Sequence, residues 1–181
     1  MKKSLLYILL ISSTTLLCCG SKDDDPAPEP HASESSWKLG TYSYNRGASA
    51  QTNTSGLAGI SVTTSGDGGN YGAYSGSALN VIFRSSLGAG KYTLTTSSVM
   101  LANPNVRYMA LTCTVGTAVS SGAVGYVATA TSGGTADVTI DANGKYHVNI
   151  TTPVTLVKTV VTGGGIPGAP STYNLTVKNA Y

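Results

Sequence analysis

Few residues in this chain could carry out chemistry, and they fall into two groups. Near the N-terminus two adjacent thiols, Cys18 and Cys19, are followed by Lys22, Asp23, Asp24 and Asp25. Far downstream stand Cys113, Asp137, Asp141 and His147. A thiolate nucleophile needs a basic partner close by. Cys113 lies in a run where Met109, Leu111, Cys113 and Val115 alternate with Tyr108, Ala110, Thr112 and Thr114, which puts the thiol on the apolar face of a strand. His147 alternates the other way, with Lys145 and Asn149, and is expected on a polar face in contact with water. Removing its side chain is then expected to be nearly neutral. Paired-carboxylate hydrolysis needs two acids across a cleft. From Ser36 onward there is no Glu, and Asp137 and Asp141 sit at the two ends of one short strand. Asp141 opens the turn Asp141-Ala142-Asn143-Gly144, where an Asp commonly bonds its own backbone. Ser, His and Asp are all present, but nothing resembles a nucleophile elbow. That turn and Asp67-Gly68-Gly69-Asn70 each offer one carboxylate, whereas calcium wants six to eight oxygen ligands. The reading is therefore of no enzyme, no metal and no catalytic residue.

The first group reads differently. Lys2 and Lys3 precede an apolar run from Leu5 to Leu17, broken by polar Ser12 to Thr15. The run is too short for a spanning helix, which needs about 20 apolar residues, and has the form of a signal peptide. It ends in Leu16-Leu17-Cys18-Cys19-Gly20. This resembles the lipobox of bacterial lipoproteins, a Leu and two small residues before an acylated Cys. With Cys19 acylated, Leu16 takes the Leu position and Cys18 precedes the cut. With Cys18 acylated, bulky Leu17 would sit at the cut, so Cys19 is preferred and Cys18 is the alternative. The resemblance implies a thioether-linked diacylglycerol and an N-acyl chain on Cys19, and no other cofactor. The run Lys22-Asp23-Asp24-Asp25 resembles the acidic export signal of surface lipoproteins in the Bacteroidota. It implies an outer-membrane protein anchored by lipid and facing the extracellular side.

The remaining chain must supply whatever the anchor displays. Residues 1–18 read as the signal peptide, 19–35 as lipidated Cys, export signal and linker, and 36–181 as one β domain. Pro26, Pro28 and Pro30 favour an extended stalk, of order 50 Å over the linker, in which His31 is solvent-exposed. Only 10% of the chain is charged. From Ser36 on, eight basic residues face three acids, a net +5. The basic residues are scattered singly, with no stripe to neutralise successive phosphates, so nucleic acid is not an expected partner.

Period-two alternation fills the domain: Trp37 to Thr41, Leu79 to Arg84, Tyr92 to Leu94, Met109 to Val115, Val124 to Ala128, Val154 to Val161 and Tyr173 to Lys178. Trp37 is expected in the core. The clearest unit is a hairpin in which Ala136, Val138 and Ile140 face Tyr146, Val148 and Ile150, with Asn143-Gly144 supplying positive φ in the turn. About ten short strands and no helix point to an all-β, antiparallel β-sandwich, jelly-roll-like, although the same pattern fits a barrel. Tyr42, Tyr44, Tyr71 and Tyr74 lie among Gly, Ser and Asn and are the candidate glycan contacts. The functional expectation is a surface lipoprotein with a structural, binding or adhesion domain for a protein or glycan ligand. The alternative is a carbohydrate-binding accessory lipoprotein.

Overall fold

Alternating side chains build most of the strands, and the computed structural model shows where each alternation leads. It describes residues 35–64, 69–116 and 122–181. Cys18, Cys19, Lys22, Asp23, Asp24, Asp25, the rest of the linker up to residue 34 and Asp67 lie outside the described residues, and Ser35, read as the linker's last residue, is buried. Eleven strands are described: β1 (Ser36–Leu39), β2 (Tyr42–Asn45), β3 (Ala48–Thr54), β4 (Leu57–Thr63), β5 (Ser77–Arg84), β6 (Gly90–Thr95), β7 (Tyr108–Val115), β8 (Ala123–Val127), β9 (Thr135–Ile140), β10 (Tyr146–Thr162) and β11 (Thr172–Ala180). In β5 and β7 the inward residues Leu79, Val81, Phe83, Met109, Leu111, Cys113 and Val115 are all buried. Trp37 is buried as expected.

The domain is all-β, and its strands form one hydrogen-bonded sheet in the order β2-β1-β11-β10-β9-β6-β7-β5-β4-β3. The eleventh, β8, closes part of it into a ring. One edge of β10 pairs first with β9 and then with β8. One edge of β7 pairs first with β6 and then with β8. Since β6 also pairs with β9, the strands β10, β9, β6, β7 and β8 form a closed five-strand barrel. The sequence favoured a sandwich with only antiparallel pairs. The observed sheet has a closed ring and one parallel pair, β6 with β7. The reason is long range. β10 and β7 are each long enough to hold two neighbours in succession along one edge, and no local pattern encodes that.

Three further differences matter for the site. A short helix, α1 (Ser97–Ala102), interrupts the strands, and Thr96 caps it by accepting from Val99 N at 3.3 Å. Six residues are too few to show a helical period. Second, the two segments read as separate strands on either side of Pro153 are one strand, β10, with its register against β11 shifted between Ile150 and Val154. A proline within a sheet is tolerated at such an irregularity. Third, Ile140 is 44% exposed, whereas Val138 and Val148 are buried. The hairpin runs one residue pair beyond the core, and Ile140, opposite half-buried Tyr146, falls outside it. The turn itself is as expected, with Gly144 at φ +76.

Candidate functional site

Two clusters of polar and aromatic side chains lie at opposite ends of β2. At the Tyr42 end the structure gathers the four tyrosines that sequence singled out. Tyr42 stacks on Tyr74 with ring centroids 4.5 Å apart and planes within 9°. Tyr71 meets Tyr42 edge-on at 5.3 Å, and Tyr44 meets Tyr71 at 5.9 Å. Sequence reasoning missed two members. Tyr173 of β11 stands edge-on to both Tyr42 and Tyr74, and Tyr126 of β8 packs on Tyr173 at 5.1 Å. Their only signal was strand alternation, which says nothing of which neighbours they meet. Gly40, at φ +60, lets the β1–β2 turn lie against the Tyr173 ring, which a Cβ would strike at 2.7 Å.

These rings hold the end of the sheet together. Tyr71 Oη donates to Ser43 O at 3.2 Å and accepts from Ser43 N at 3.4 Å, so it occupies the outer edge of β2. Tyr44 corrects an expectation: it is fully buried, stacked on Trp37, with its hydroxyl donating to Tyr74 O at 2.8 Å. It offers no face to a glycan. Burial pushes its phenol well above the usual range, raises Tyr173 likewise and puts Tyr126 at about 12. Tyr42, Tyr71, Tyr74 and Tyr173 are half-buried and reach the surface.

Cys113 is fully buried, with its thiol 3.6 Å from Ser77 Oγ. That hydroxyl accepts from Trp37 Nε1 at 2.9 Å and donates to Thr114 O at 2.8 Å. Burial pushes the thiol up to about 12, so the thiolate a nucleophile requires is strongly disfavoured.

At the other end of β2, His147 overturns its expected exposure. Its side chain is only 13% exposed, because the end of β11 covers the outer face of the hairpin. Nδ1 lies 2.8 Å from Asn179 Oδ1, Nε2 lies 3.2 Å from Asp141 Oδ2, and the ring packs on Tyr181 at 4.8 Å. Asn179 takes a φ of +52, which Asn tolerates better than most residues, and its backbone N–H donates to Asn149 Oδ1 at 2.8 Å. Asp141 shapes its turn as expected, Oδ1 accepting from Asn143 N at 2.8 Å and from Lys145 N at 2.9 Å. Both ring nitrogens of His147 are thus engaged, and the imidazole ties the hairpin to the end of β11. The hairpin register held a partial signal. Asp141 and His147 are diagonal neighbours on one face, since Asp141 N bonds Lys145 O. The covering strand end was not legible.

The backbone bond from Lys145 and the His147 side chain hold the Asp141 carboxyl below its ordinary value of 3.8. A carboxyl lowered on folding stabilises the native state above its unfolded pKa, and that contribution is lost as pH falls through the folded value. Acid unfolding of the wild type is therefore expected to begin between pH 4 and lower values with a component that Asp141→Asn lacks. Equal pH dependence of the two proteins, measured by circular dichroism at fixed urea, would contradict the role given to Asp141.

Beside this cluster, Gln51 of β3 pairs with β10 as a strand residue would. Its amide donates to Tyr146 O at 2.7 Å and accepts from Tyr146 N at 3.0 Å. A groove of about 430 Å³ on the outer face of β1, β2 and β11 is lined by Lys38, Ser43, Asn45, Thr176 and Lys178, with no Tyr or His. Among the described residues no three His, Cys, Asp or Glu side chains converge as a metal site. No described helix is long and apolar enough to cross a membrane. Comparison with known proteins finds no matching family model, no matching curated protein and no matching solved structure.

Proposed function

We propose that this chain is an outer-membrane lipoprotein, anchored through lipid on Cys19 and facing the extracellular side, whose β domain serves a structural, binding or adhesion role without catalysis. The observation that carries the reading is the succession Leu16-Leu17-Cys18-Cys19 and Lys22-Asp23-Asp24-Asp25 ahead of a proline-rich stalk. A tightly cross-bonded β domain suits display at a surface. Its core cysteine is buried, and its one described histidine is spent on holding two strands together. The sandwich expected from sequence is kept as a proposal for the strands outside the ring, β1 to β5 and β11. The bond between Trp37 of β1 and Ser77 of β5 supports it.

Changing Asp23, Asp24 and Asp25 together to Ala tests the surface assignment. Protease added to intact cells is expected to degrade the wild type and to spare the variant, while both stay in the membrane fraction. Equal degradation would reject the acidic run as the export signal. The second reading, carbohydrate binding, is supported by the gathering of half-buried Tyr42, Tyr71, Tyr74 and Tyr173 at one surface. It predicts retention of an uncharged sugar, which the neutral probe below measures.

A further inference from the structure

Three half-buried cations, Arg46, Arg84 and Lys158, have no carboxylate partner among the described residues; Arg84 donates to Leu101 O and Lys158 to Ala169 O, whereas Arg46 borders a cavity. Of the domain's three acids, Asp137 pairs with Lys91 at 2.9 Å and Asp141 faces His147, while Asp67 lies outside the described residues. Arg46, at the junction of β2 and β3, is nevertheless held in place. Its guanidinium lies 3.8 Å over the centroid of the Tyr181 ring, and one Nη donates to Tyr181 Oη at 2.5 Å. A guanidinium has five N–H donors in a planar fork that matches a carboxylate or sulfate. Among the described residues one of them has a hydrogen-bond partner, Tyr181 Oη.

That fork borders a cavity of about 220 Å³ lined by Arg46, Ser49, Ala50, Gln51, Lys145 and Tyr181. The walls come from three places in the chain: the β2–β3 junction with the first half of β3, the β9–β10 hairpin and the end of β11. Each wall is fixed by a bond already described. Gln51 is locked to Tyr146, Lys145 follows the turn that Asp141 organises, and Tyr181 is packed on His147. Ser49, Ala50 and Lys145 are exposed, so the cavity opens to solvent. Its lining holds two cationic side chains and no Asp or Glu side chain. Its volume is below the roughly 300–1,000 Å³ of sites for drug-sized ligands, which suits one small anionic group with its carrier.

We propose that this cavity binds an oxyanion, a carboxylate or sulfate, gripped by Arg46 and steered by Lys145, with the Tyr181 hydroxyl and the Ser49 side chain as polar neighbours. The oxyanion can come from a free anion or from a sugar acid. The proposal does not rest on the lipid anchor or on the tyrosine cluster at the far end of β2.

Calorimetry on the full-length chain in detergent at low salt tests it, with galacturonate, inorganic sulfate and galactose as probes. Galacturonate is expected to bind, and Arg46→Gln is expected to weaken it about tenfold or more, as loss of a charge-assisted bidentate contact does. Lys145→Ala, at an exposed position, should weaken it about threefold, as loss of a rim charge does. Binding of sulfate as tight as galacturonate assigns the site to free oxyanions. Binding of galacturonate alone assigns it to sugar acids, and either result supports the proposal. No binding of either anion overturns it. So does galacturonate binding that galactose matches and Arg46→Gln leaves unchanged, a result that would move any sugar contact to the tyrosines. Should Arg46→Gln fail to fold, Lys145→Ala decides: unchanged galacturonate affinity overturns the proposal.

Discussion

Replacing Cys19 with Ser is expected to abolish acyl labelling and to release the chain from the membrane fraction or leave it as unprocessed precursor. The thiol is the group at this position that can form the thioether to diacylglycerol, and Ser does not substitute for it. Each buried CH₂ contributes ~0.8 kcal/mol, and two or three long chains together make the anchor effectively permanent. Losing them is therefore an all-or-none change in location. Cys18→Ser is expected to keep both label and location, because Cys18 would leave with the signal peptide. Label retained in Cys19→Ser but lost in Cys18→Ser would move the site to Cys18. Label retained in both would end the lipoprotein reading, whatever the domain binds.

The second large effect contrasts two isoleucines of the β9–β10 hairpin. Ile150→Ala is expected to cost about 2–5 kcal/mol, since Ile150 is fully buried and its loss leaves a cavity in a packed core. Ile140→Ala is expected to cost under about 1 kcal/mol, because Ile140 is 44% exposed and little apolar area returns to water. From sequence alone both belong to the same inward face. His147→Ala reverses its expected neutrality. It should cost about 1–3 kcal/mol, because removing the ring breaks its bonds to Asn179 and Asp141 and strips packing from Tyr181. Urea unfolding at neutral pH measures all three, with midpoints compared at a common slope. Equal losses for Ile140→Ala and Ile150→Ala would show that the hairpin closes in a different register. A neutral His147→Ala would return the imidazole to water and remove the tie between the hairpin and β11.

Period two and turn chemistry made several elements readable in advance. β5, β7 and the β9–β10 hairpin follow from alternating apolar residues, and Asn143-Gly144 places the hairpin turn. The burial of Trp37 and Cys113 follows from the same alternation. β4 carries the same alternation, with Ala58, Ile60 and Val62 buried, but its hairpin partner β3 carries none. β3 reads Ala-Ser-Ala-Gln-Thr-Asn-Thr and is exposed along almost its whole length, so no apolar face marks it. Its only half-buried residue, Gln51, is held by two bonds to Tyr146, which lies 95 positions away.

Alternation tells which face of a strand a side chain occupies, not which strand will lie beside it. The ring depends on β8 bridging β7 and β10, and on β6 joining β9 to β7, pairings chosen by the packing of the whole core. The tyrosine cluster shows the same division. Local surroundings named Tyr42, Tyr44, Tyr71 and Tyr74, yet only the fold buries Tyr44 and brings in Tyr126 and Tyr173. The cavity at Arg46 is the extreme case, because its guanidinium and the Tyr181 hydroxyl that fixes it are 135 positions apart. The sequence by itself determined most of the strands, the surplus of positive charge and the resemblance of the N-terminus to a lipoprotein signal. Tertiary structure alone decided that Arg46, Lys145 and Tyr181 line one cavity, because such a meeting depends on distances of a few ångströms that strand closure sets.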